Sequence, residues 1–179
     1  TTFQGNVRAE GGLEQVTKNA TTGAYTTNFD VDSNGSVVYR NRVTDLTTAT
    51  YTVAATESGT VFSLNKADGI VVSLPAAASG LNYTFIVGTT ATSNAYGIDC
   101  VGSDLYTGFA TIFDVGAAND THTFASGNRS CIDLGSAEQG WLVGGIVHLV
   151  AVLVESTTVY KWHCEAHLSG SGTLATPFE

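Results

Sequence analysis

The chain has no methionine, two prolines, three cysteines and only seven lysines and arginines in 179 residues. Each shortage removes a class of protein. Seven cations against 16 acidic residues leave a formal charge of −9, which excludes a basic nucleic-acid interface, since that needs clustered Lys and Arg. The deficit is uneven: residues 1–57 hold four basic and six acidic residues (−2), and residues 58–179 hold three and ten (−7). An acidic body stays soluble and resists contact with other polyanions. Cys100, Cys131 and Cys164 are widely spaced and form no CxxC. They read as small buried hydrophobes of a chain made in a reducing cytosol. No apolar run reaches membrane length: Trp141–Val154 is the most apolar, at 14 residues and interrupted by Gly144, Gly145 and His148, whereas a spanning helix needs roughly 20. Thr1–Lys18 lacks the apolar stretch of a secretory signal. If Thr1 follows a removed initiator Met, the sequence begins near its natural start.

Catalytic signatures are missing too. There is no GxSxG nucleophile elbow, and the 20 glycines fall at turns and make no phosphate-binding or dinucleotide pattern. Asp30-Val-Asp-Ser-Asn-Gly35 has oxygen ligands at alternate positions, as a calcium loop does, but position 41 is Asn where a bidentate Glu is needed. It reads as a hairpin turn. His163-Cys-Glu-Ala-His167 is the one cluster with ligand chemistry. On a strand its imidazoles stand about 13 Å apart, at about 3.3 Å per residue, so one ion cannot take both. A ring of one His per subunit about a three-fold axis is the remaining metal geometry. His148, inside an apolar run, reads as a satisfied core residue, and His122 as a solvated turn residue. Tyr25, Tyr51, Tyr83, Tyr96, Tyr106 and Trp141 are read first as core or interface and second as a sugar-binding platform. The expectation is a chain with no catalytic residues, cofactor or metal.

What the chain has is β-branched and aromatic residues in short runs between turn formers. Thr60–Leu64, Ile70–Leu74 and Asn82–Val87 are separated by Asn65–Gly69 and Pro75–Gly80, the grammar of an antiparallel meander. Thr47–Ala55, Ala95–Cys100, Ala110–Val115, Ser130–Leu134, Ile146–Val154 and Thr158–His167 read as further strands, the last two joined by a hairpin at Glu155-Ser-Thr157. Ile146–Val154 is apolar almost throughout, which implies burial on both faces, inside a sandwich or under a subunit contact. In Val159–His167, Tyr160, Trp162 and Cys164 point one way and Lys161, His163, Glu165 and His167 the other. No sequence period repeats. The predicted fold is all-β: an antiparallel sandwich or barrel-like body over residues 46–168, an extended N-terminal arm over 1–45 and a C-terminal tail over 169–179. The arm is too polar to order itself alone. In the tail, Leu174–Phe178 is apolar enough to dock on a neighbour.

Two segments carry a resemblance. Phe3–Gly12 (FQGNVRAEGG) resembles the opening of small structural proteins of tailed phages, commonly of marine bacteria. Ser58-Gly59, Phe62, Leu64, Gly69, Leu74-Pro75, Gly80 and Tyr83-x-Phe85, with Val159-x-Lys-Trp162 near the end, are similar to a β-domain of phage head-decoration and fibre-like virion proteins. The resemblance implies a non-enzymatic virion protein, made in the host cytoplasm, that decorates and cements a capsid shell as a homotrimer bound to the major capsid protein. The alternative it implies is a head- or tail-fibre module binding a host glycan. On the first reading, capsid contacts fall to Phe3, Val7, Arg8, Leu13, Val16, Arg40 and Arg42, and subunit contacts to Trp141, Val147, Leu149, Trp162 and Phe178.

Overall fold

The structure is a computed structural model, and it describes residues 13–18, 20–23, 25–31, 36–39, 41–116, 120–154 and 159–179. The chain divides into two compact units, Thr1–Asn41 and Arg42–Glu179. In the first, β1 (Leu13–Lys18), β2 (Tyr25–Val31) and β3 (Val37–Tyr39) form a three-stranded antiparallel sheet in that order. Within the expected arm of residues 1–45, β1–β3 are thus a small sheet, while residues 43–45 belong to the second unit. The predicted turn at residues 32–35 lies outside the described residues.

The second unit holds two mixed sheets and, among the described residues, no α-helix. Its strands are β4 (Val43–Leu46), β5 (Thr50–Thr52), β6 (Val61–Leu64), β7 (Ile70–Ser73), β8 (Asn82–Val87) and β9 (Tyr96–Asp99). After them come β10 (Tyr106–Asp114), β11 (Thr121–Ala125), β12 (Cys131–Leu134), β13 (Leu142–Leu153) and β14 (Tyr160–Gly170). The larger sheet runs β11-β10-β14-β13-β8-β6-β4 and the smaller β12-β9-β7-β5.

The expected antiparallel meander is corrected by the pairing. β4, β6 and β8 lie side by side and parallel in the larger sheet, while β5, β7 and β9 do the same in the smaller. Successive strands thus cross between sheets, and the chain coils through three turns. The connectors act as arches and not as hairpins. At the arch between β6 and β7 the chain turns through Gly69 at φ 82°. A Cβ on Gly69 would run into the Ala95 carbonyl of the next coil. The Tyr96 hydroxyl stitches the same two arches, lying 2.8 Å from the Lys66 carbonyl and 2.7 Å from that of Thr89.

The parallel register stacks like on like inside. Leu46, Leu64 and Val87 share one level and Phe62 and Phe85 the next. The two Phe rings stack at 5.2 Å and 18°, a contact worth about 0.5–1.5 kcal/mol beyond its burial. On the facing sheet Val72, Ile98 and Ile132 form the matching ladder. The last strands close the coil: β13 pairs antiparallel with β8, and β12 with β9. The C-terminal residues continue this closure. Phe178 bridges Ile132, Cys131 and Glu179 exchange backbone hydrogen bonds of 3.0 Å each way, and the Asp133 amide donates to the Pro177 carbonyl at 2.7 Å. The tail therefore docks on its own chain and covers an edge that would otherwise be open.

Candidate interaction surface

Every second residue of the larger sheet faces out. The rows read off the register include Thr84–His148–Glu165–Phe109, Ile86–Ile146–His167–Thr111 and Asn82–Val150–His163–Thr107. Three histidines on two neighbouring strands therefore share one face. His148 is exposed, with Nδ1 3.1 Å from the Thr84 hydroxyl, which corrects its reading as a core residue. The apolar run of β13 misled there: only its inner half, Val147, Leu149 and Ala151, is buried. Its outer half leaves Val150 at 42% exposure, and on the far side of β14, β10 presents Phe109 at 37% and Phe113 at 45%. The Phe113 ring stacks on His167 at 6.3 Å. Charge is sparse: Lys161 and Glu165 stand on β14, and Asp45 on the far strand β4. Glu165 Oε1 lies 3.4 Å from His167 Nε2, and the Lys161 ammonium donates to Asn128 Oδ1 at 3.0 Å. His122 stands apart on β11, exposed and 3.0 Å from Asp120. Among the described residues, no three His, Cys, Asp or Glu are placed to hold a metal ion together.

The residues expected at a subunit contact are mostly core. Val147, Leu149, Trp162 and Phe178 are buried, and Trp141 is half-buried against the core and bridged to Ser169. Val147, Leu149 and Trp162 belong to the inner set of β13 and β14, so any contact made by these strands passes to the outer set. Of the expected capsid contacts, Phe3, Val7, Arg8 and Arg40 lie outside the described residues, and Leu13 and Val16 fall on β1. Arg42 is exposed but engaged, 3.4 Å from Glu57 Oε1. Glu57 is largely buried in the turn Ala55–Glu57, where it also accepts from the Tyr51 hydroxyl at 2.8 Å and the Ala54 amide at 3.0 Å. That network closes the connection between β5 and β6. Tyr83, Tyr96 and Tyr106, named for a sugar platform, are core residues, and Tyr51 packs against the core.

Burial disfavours the thiolate at all three cysteines. Burial pushes the thiols of Cys100 and Cys164 up to about 12, and burial with the neighbouring Asp99 pushes Cys131 up as well. A nucleophile or metal ligand needs the thiolate, which these sites oppose. No protein-family model, curated protein or solved structure matches the chain.

Proposed function

We propose that the chain is a structural protein of a virus particle, without enzymatic activity, that decorates a phage capsid and stabilises it. The observation that carries this reading is the division at Asn41/Arg42. The first unit is a three-stranded sheet built from a segment poor in large aliphatic residues, a composition that suits an anchor. A sheet of three strands gains its stability from what its apolar side packs against. Support also comes from the resemblance of residues 3–12 and of the 58–85 stretch to phage virion proteins. The physics is linkage: a protein that binds only the assembled lattice stabilises it by mass action. The partner is the major capsid protein, met through residues 1–41.

The test is to remove residues 1–41 and incubate the remainder with expanded shells of the parent particle. The truncated chain is expected to keep its thermal transition and to leave the shells bare, while the full chain coats them. Coating by the truncated chain removes the anchor role. Bare shells with the full chain overturn the decoration reading.

A further inference from the structure

We propose that the outward face of the larger sheet pairs with the same face of a second copy, about a two-fold axis level with His163. This stands independently of the virion reading. The first ground is compositional. A strand with one face in the core needs apolar residues only at alternate positions, yet β13 keeps Val150 and Val152 on its outer side, and across β14 the β10 strand exposes Phe109. The second is charge. Copies of a −9 chain repel wherever their acids meet, whereas this face carries only Lys161 and Glu165 near its centre and Asp45 at its rim.

The third ground selects the geometry. Lys161, His163 and Glu165 are successive outward residues of β14, with Val150 level with His163 on the neighbouring strand. Two sheets stack about 10 Å apart. With the axis between them and at right angles to β14, each Lys161 faces the second copy's Glu165, twice over, and Val150 meets its own counterpart. An axis along the strands would instead set Lys161 on Lys161 and Glu165 on Glu165. Only the first arrangement is complementary. The present neighbours of these two charges, Asn128 and His167, are exposed partners that yield at little cost.

His148, His163 and His167 share the face with Lys161, against Glu165 and Asp45. The outward residues of β6, β8, β10 and β11 carry no charge.

The experiment is sedimentation velocity on the full chain and three variants at pH 8, with circular dichroism to show that each is folded. The expected result is a dimer for the full chain. Lys161→Glu weakens it about tenfold or more by placing like charges opposite each other. The double swap Lys161→Glu/Glu165→Lys restores it, and Val150→Glu abolishes it. A monomer or a trimer, indifference to Lys161→Glu, or a double swap that fails to rescue overturns the proposal. None of these outcomes bears on whether the chain coats a shell.

Discussion

Asp133 sits on β12 with Oδ1 out of water and, among the described residues, no hydrogen-bond donor. Burial first, then the charges of Glu179 and Asp99, hold its carboxyl above the ordinary aspartate range. A folded-state pKa above the unfolded one means that the fold prefers the proton. The stability this group contributes is complete below the unfolded value of about 3.9 and is lost as pH rises through the folded value. Asp133→Asn is therefore expected to raise the melting temperature at pH 7, by less than about 1 kcal/mol of stability given solvent screening. The gain should shrink towards zero near pH 4, and an equal gain at both pH values would contradict the assignment. Glycine offers a second contrast at this scale. Gly69 and Gly80 both have φ 82°, so each loses about 1 kcal/mol on conversion to Ala from backbone strain alone. A Cβ at Gly80 meets nothing within 4 Å, while at Gly69 it meets the Ala95 carbonyl. In chemical denaturation Gly69→Ala should cost clearly more than Gly80→Ala. Equal costs would mean that the arch has room.

At the level of the element, β14 was legible. The division of Tyr160, Trp162 and Cys164 from Lys161, His163, Glu165 and His167 is the one the structure shows, because a period of two assigns faces whatever the partner strand is. The pairing of β6, β7 and β8 was not. A five-residue connector with Gly suits a hairpin and an arch alike, and only contacts with the next coil, through Tyr96 and Ala95, distinguish them. The tail was half legible: its apolar character marks a docking segment, but the sequence does not say that β12 of the same chain receives it. Phe178 packs on Tyr106 at 6.4 Å between centroids. Phe178→Ala should cost about 3–5 kcal/mol, read as a lower urea midpoint with an unchanged slope. A loss under about 1 kcal/mol would mean that the tail is not held there.

For the whole molecule, composition and alternation alone determined that the chain is β-structured, poor in charge and centred on a core of aromatic and branched residues. Those properties follow from local residue chemistry and need no partner. The tertiary structure decided the rest: parallel coils in place of a meander, and an outward face that gathers three histidines. It also decided that Val147, Leu149, Trp162 and Phe178 serve the core of one chain. The coils left no periodic trace because their rungs, at Val43, Val61 and Thr84, are unequally spaced along the chain. Pairing between distant strands is set by which backbones meet across the sheet, and no local pattern carries that information. The same holds for the outward face, whose residues come from strands more than 60 positions apart, as Thr84 and His148 show.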